Sequence, residues 1–362
     1  MKDSPWWPDN YFASRVHFME QAMRANAKLD SHQVNAVGPD NQALFIDVAS
    51  LISQNDTHRL FITSGVHGVE GFIGAAIQNQ VMAQLEQSGT PNQTGVILIH
   101  AANPWGFAHL RRVNEHNIDI NRNFFDIANT KSSNFDSYAK LNSVINPNRP
   151  PTRLGELSHW AKVSKLIAQH RGIRSLAGPI AAGQAEFPKG LFYAGSSATE
   201  SSTTLQELVL NFSKDVEDIT ILDVHSGLGP SGKVTLIGNT NRLAKSERQS
   251  TLQRHYEQPV ILDDAYDNAY NAQGSWCQWC QRALNDKRFL YLCIEIGTVN
   301  PIKLFSALRR ENQAHHWSKI NSAEYVKTKR ALLNVFAPRT QQWKESAIAE
   351  AMHTIDTAFK PG

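Results

Sequence analysis

Four near-continuous apolar runs constrain this chain more than any other feature: "HRLFITSG" (58–65), "VILIHAANP" (96–104), "DITILDVHSG" (218–227) and "RFLYLCIEIGT" (288–298). A strand with one wet face alternates polar and apolar residues, whereas a strand covered on both faces reads as an unbroken apolar run. "ALFIDVASL" (43–51) adds a fifth strand. The covers lie between them. "SRVHFMEQAMRANAKL" (14–29) and "FIGAAIQNQVMAQLEQ" (72–87) space their apolar residues as helices do. The predicted class is α/β: a mixed, largely parallel central sheet with helices on both faces. Residues 126–200 carry little pattern and are expected to contain long loops. From 301 onward "LFSALRRENQAHHW", "SAEYVKTKRALLNVF" and "WKESAIAEAMHTIDTAF" read as a helical C-terminal end. Nothing marks a boundary or a repeat, so one domain over 1–362 is expected, with a core of about 40–300 and a helical segment of about 301–362.

Several of these runs end in residues that carry chemistry. In "SGVHGVEG" (64–71) His67 and Glu70 follow one strand and precede a helix, among glycines. In isolation an H-x-x-E is as well explained by a hydrogen-bonded turn. His225 ends another run, and alone it reads as a satisfied core histidine. Together His67, Glu70 and His225 make a His2Glu set, which leaves a metal ion one open position for water. Asp223 shares a strand face with His225 and is suited to orienting a ligand. Glu295, inside "YLCIEIGT", is a carboxylate in an apolar strand, which costs several kcal/mol unless it is paired or solvated. It is either half of a buried ion pair or a general base. "NPWGFAHLRRVNEHNIDINRNF" (103–124) sets Arg111, Arg112 and Arg122 among asparagines, and guanidinium groups suit carboxylates and oxyanions.

Composition narrows the classes. The formal charge of +3 is dispersed, without the basic stripe of a nucleic-acid binder. No apolar run is long enough for a membrane span, and "MKDSPWWPDNYF" has no signal-peptide core, so a cytoplasmic protein is expected. Three cysteines in 362 residues argue against a disulfide framework. Cys277 and Cys280 form a C-x-x-C with no second ligand pair nearby and are read as buried thiols.

The ordered set resembles a known clan. H-x-x-E at 67–70, N-P-x-G-F at 103–107, D-x-N-R-N-F at 119–124, the strand-end His225 and the strand Glu295 are similar in order to the zinc carboxypeptidases. That clan also holds the aspartoacylase and succinylglutamate desuccinylase deacylases. "HGVEG", "DVHSGLGPSG" and "IEIGT" most resemble an uncharacterised bacterial branch of it, over roughly residues 60–300. The resemblance implies one Zn2+ per chain, held by His67, Glu70 and His225. It implies that Asn121 and Arg122 hold a substrate carboxylate, that Arg112 polarises the scissile carbonyl with Arg111 as the neighbouring candidate, and that Glu295 activates water. The clan's catalytic tyrosine has no clear counterpart among Tyr193, Tyr266 and Tyr270.

The function so implied is zinc-dependent hydrolysis of an amide bond beside a free carboxylate, in a small peptide or an acylated amino acid. The rivals are a relative that binds metal or ligand without catalysis and a nucleotide-binding protein. "GLGPSGK" (227–233) fits a phosphate-loop pattern, yet Val234 stands where magnesium needs Ser or Thr, and a strand-like "VTLIGN" follows.

Overall fold

The computed structural model describes residues 6–124, 135–169, 178, 180–262 and 274–359. Eight strands form one sheet: β1 Lys28–Val37, β2 Ala43–Leu51, β3 His58–Ser64, β4 Thr94–His100, β5 Asp218–Gly227, β6 Val234–Thr240, β7 Val260–Leu262 and β8 Arg288–Gly297. Their order is β1-β2-β4-β3-β5-β8-β6-β7. The four expected apolar runs are its parallel centre, β4-β3-β5-β8. β1, β2 and β6 pair antiparallel at the flanks. The sheet is mixed and mostly parallel, as the run pattern predicts.

Alternate residues of the central strands feed two apolar layers. Phe61, Ile97, Ile219, Ile221 and Phe289 face one side, and Leu60, Ile62, Leu98, Leu222 and Leu292 the other. Helices α1 (Tyr11–Arg24) and α2 (Gly71–Ser88) cover the second side with Phe18, Ile73, Ile77 and Val81. The first side is covered further along the chain. Between them, among the described residues, come α3 (Pro104–Ala108), α4 (Phe135–Ile145), α5 (Arg153–Gln169), α6 (Glu200–Ser213) and α7 (Arg248–His255). Then α8 (Trp276–Ala283), α9 (Pro301–Trp317) and α10 (Ala323–Phe336) lay Trp276, Cys280, Leu308, Leu332 and Phe336 on that face. The last helix, α11 (Gln341–Ala358), returns to the second side through Ala347, Ala351 and Ile355. The helical end is therefore part of the sheet's cover.

The expectation for 126–200 holds in part. Residues 182–199 form a long irregular stretch, but 135–145 and 153–169 are helices. In α4 the stripe Tyr138, Leu141, Ile145 packs a small separate cluster, while α5 exposes Leu154 and Leu157 and so hides its periodicity. β1 was not expected either. It is an outer strand that buries only Val34, so its sequence "KLDSHQVNAV" lacks the apolar signature of the centre.

Chain order puts a crevice above the sheet. β3 leads through α2 to β4 on one side, while β5 lies on β3's other side. In open α/β sheets such a reversal, at the carboxyl ends, is where ligands bind. The "SGVHGVEG" turn follows β3 there, and His225 lies near the end of β5.

Candidate metal centre

The turn is shaped by what presses against it. Gly65 takes φ +68°, and Gly68 and Gly71 face the 106–107 backbone and ring so closely that there is no room for a side chain. A Cβ on Gly68 would lie 2.1 Å from the Gly106 carbonyl carbon and 2.3 Å from the Phe107 nitrogen. The Gly68 and Val69 N–H groups donate to the Arg112 and Arg111 carbonyls at 3.1 and 2.8 Å. This close approach explains why "HGVEG" and "NPWGF" occur together. Gly68→Ala should accordingly lower stability by about 1–3 kcal/mol, the usual cost of overpacking. Thermal melting and metal uptake would both register it, and a wild-type melting curve would mean the two segments separate freely.

His67, Glu70 and His225 are brought together, all buried. His67 Nδ1 lies 3.0 Å from Glu70 Oε1, and His225 Nδ1 lies 3.1 Å from Glu70 Oε2. The two Nδ1 atoms are 3.1 Å apart. Donor atoms held about 2.0–2.1 Å from one tetrahedral zinc are separated by roughly 3.3 Å, so the set fits such an ion. The outer nitrogens fix the tautomers. His67 Nε2 faces Asp119 Oδ1 at 3.1 Å, and His225 Nε2 faces Asp223 Oδ2 at 2.7 Å. A carboxylate only accepts, so each Nε2 carries the proton and each Nδ1 turns its lone pair inward. Two lone pairs and a carboxylate converging on one point require a positive charge between them.

The titration directions agree. Burial would raise the Glu70 carboxyl, but His67 and His225 overcome it and hold it below the usual carboxylate range. Burial would lower the His225 imidazole, yet Asp223 and Glu70 drive it well above its ordinary value. Metal binding here would require His225 to give up any proton on Nδ1.

The two outer carboxylates differ. Asp119 also accepts from Arg112 Nε at 3.1 Å, so a guanidinium balances it. Asp223 accepts from the Thr63 and Tyr291 hydroxyls at 2.6 and 2.9 Å, and its only cationic contact among the described residues is His225. Asp119 was missed as a partner of the site although its motif was legible. The available signal was that ligand histidines pass their second nitrogen to a carboxylate.

Glu295 pairs in register with His225 across β5 and β8, so both side chains leave the same face. It is half-buried, and the Leu228 N–H donates to its Oε1 at 2.8 Å. Among the described residues no arginine or lysine forms an ion pair with it, although the Arg112 charge is near enough to interact. Burial and the Glu70 charge push its carboxyl up to about 6. Arg112, half-buried, reaches Glu70 Oε1 at 3.3 Å as well as Asp119.

Arg111 is placed elsewhere. Its Nε pairs with Glu311 Oε1 at 3.0 Å, and its Nη2 donates to Asn117 and Asn312 at 3.0 and 2.9 Å. Fully buried there, it ties the loop to α9, and of the two adjacent arginines Arg112 is the one beside the ligands. Arg122 donates to the Ala181 and Asn121 carbonyls, which fix the plane of its guanidinium. The Asn121 Oδ1 accepts from the Trp276 N–H at 2.9 Å, which fixes which end of its amide is the donor. Of the three tyrosines considered, Tyr193 is buried beside Ile118, and Tyr266 and Tyr270 lie outside the described residues.

The 227–233 loop is no phosphate cradle. Its Leu228 N–H serves Glu295, its Gly232 N–H serves Gly297, and it runs into strand β6 rather than a helix. Cys277 and Cys280 are buried on α8.

The family described as "Protein of unknown function (DUF2817)" matches residues 7–350. The chain belongs to that family. No curated protein matches the sequence of this DUF2817 member. Among solved structures, carboxypeptidase A from Helicoverpa armigera aligns with a TM-score of 0.50 at 13% identity, over 92% of this chain and 75% of that one. Bovine thrombin-activatable fibrinolysis inhibitor, solved with tick carboxypeptidase inhibitor, aligns at 0.48 and 11% identity, over 96% and 98%. A metallo-carboxypeptidase from Burkholderia cenocepacia aligns at 0.45 and 10%, over 98% and 70%. The DUF2817 chain thus has the fold of the zinc carboxypeptidase clan. No described helix is long and apolar enough to cross a membrane.

Proposed function

We propose that this DUF2817 protein is a zinc-dependent hydrolase of an amide bond beside a free carboxylate, acting on a small peptide or an N-acylated amino acid. The observation that carries the reading is the inward-facing triad of His67 Nδ1, Glu70 and His225 Nδ1 at 3.0–3.1 Å, with Glu295 next to it in register. A zinc ion held by these three would act as a Lewis acid toward water and the scissile carbonyl.

The chain's own residues do the rest. Asn121, whose Oδ1 is held by the Trp276 N–H, and Arg122, held by main-chain carbonyls, grip the substrate carboxylate and so fix the scissile bond. Glu295 takes a proton from the attacking water and passes it to the leaving amine. Its raised pKa suits both duties at neutral pH. Arg112 keeps its charge, because Asp119 and Glu70 hold its pKa up against burial, and it stabilises the oxyanion.

The separating test is Arg122→Ala, assayed on acyl-amino acids and on their amides. Turnover of the free acids should fall by about 2–4 kcal/mol of transition-state binding, the range for a lost charge-paired contact, while the poor amide substrates barely change. Equal loss on both classes would assign Arg122 to the fold instead of the substrate.

A further inference from the structure

Arg111, which the metal centre does not use, lines a small cavity of about 10 Å³ together with Arg112, Phe192, Leu308, Glu311 and Asn312. That volume has room for one water-sized sphere. The Arg111 side chain is buried, and its Nε and Nη2 are taken by Glu311, Asn117 and Asn312. Its Nη1 has no partner among the described residues. A buried donor without an acceptor is costly, and more so when it is charged.

The charges around it do not balance either. Lys329, on α10, is buried with its Nζ 2.7 Å from Glu311 Oε1. Glu311 therefore serves two cations, and among the described residues no second carboxylate contacts either of them. Burial lowers the Lys329 ammonium to about 8, which still leaves it charged at neutral pH. His315 and His316 do not contribute charge there, because burial and the Arg111 guanidinium hold both imidazoles below their ordinary value. The buried group thus carries one positive charge in excess, and such a charge is unfavourable without a counter-ion.

We propose that this cavity is a binding site for a monatomic anion, chloride above all, held against Arg111. A water would meet the Nη1 donor but leave the excess charge. A chloride ion answers both and is little larger than a water, whereas phosphate, sulfate or a carboxylate needs room for several atoms. Glu311 also lines the cavity, but its oxygens are engaged by Arg111 Nε and Lys329 Nζ. The site is separate from the metal ligands and from Arg122, and the inference does not depend on the hydrolase reading.

The test melts the chelator-stripped full chain at neutral pH in sodium gluconate, with sodium chloride replacing it at fixed ionic strength. The melting temperature should rise by about 2–4 °C and level off below about 0.1 M chloride, as one-site binding to the folded state requires. Bromide should act alike. Lys329 does not line the cavity, so Lys329→Met removes the excess charge without reshaping the site. It should weaken the apparent chloride affinity by about tenfold or more, while Glu311→Gln enlarges the excess and should tighten it by about as much. Loss of packing would not give opposite signs. Should either variant fail to fold, wild-type crystals grown in bromide decide, with an anomalous scattering peak expected in the cavity beside Arg111. A melting temperature indifferent to chloride, a salt response that never levels off, or a cavity that holds only water in bromide would overturn the proposal.

Discussion

Glu295→Gln should keep its fold and its metal while hydrolysis falls by roughly two to four orders of magnitude, the usual scale for a positioned general base. The fold is expected to survive because a glutamine carbonyl still accepts the Leu228 N–H that now bonds Oε1. The metal is expected to stay because the three donor atoms belong to His67, Glu70 and His225. What disappears is the proton acceptor. The pH profile gives an independent reading. Glu295 acts as a base only when ionised, and burial pushes its carboxyl above the usual carboxylate range, while a bound zinc would offset the contribution of the Glu70 charge. Wild-type kcat/KM should therefore be level near neutral pH and fall in acid as Glu295 protonates. In Glu295→Gln the residual rate should lack this limb. A variant that loses zinc would make Glu295 a ligand, and one with full activity would give the proton work to another group.

The sheet centre and the site were legible in the sequence for one physical reason. A strand covered on both faces leaves few polar positions, so His225 and Glu295 stand out against "ITILDV" and "YLCI". Their convergence then follows from strand ends gathering at one sheet edge, and the register His225↔Glu295 makes it concrete. The glycines were legible as a tight turn, but the pressure of Gly106 and Phe107 on Gly68 and Gly71 was not. Close approach between segments some 40 residues apart leaves no local pattern.

Arg111 and Arg112 show the opposite limit. Adjacent residues of one type are indistinguishable by composition, and what separates them is long-range. Glu311, two hundred positions away on α9, takes Arg111, while Asp119 and Glu70 take Arg112. β1 was invisible for a related reason: a strand at the sheet's edge can stay polar, so its identity lies in its pairing with β2 and not in its side chains. In α5 exposed leucines blur the period that would otherwise announce a helix.

The second large effect concerns the two histidines proposed as ligands, whose variants should differ in stability though not in metal content. His67→Ala and His225→Ala should each abolish stoichiometric zinc binding and hydrolysis, since either leaves only two protein donors. Their consequences for the fold diverge at the outer carboxylates. With His67 removed, Asp119 still receives Arg112 Nε at 3.1 Å and the Asn121 N–H at 3.1 Å. With His225 removed, Asp223 keeps, among the described residues, only the Thr63 and Tyr291 hydroxyls, and its carboxylate is fully buried. Stranding a buried charge by deleting its partner costs about 3–5 kcal/mol. Measured on chelator-stripped protein, so that lost metal contributes nothing, denaturant unfolding should find His225→Ala clearly less stable than His67→Ala. The double variant His225→Ala, Asp223→Asn should recover much of the difference, because the amide has no charge to bury. Full zinc in both single variants would refute the ligand set. Equal stabilities, with zinc lost from both, would leave the ligands intact and show that the Thr63 and Tyr291 hydroxyls suffice to hold Asp223 without its histidine.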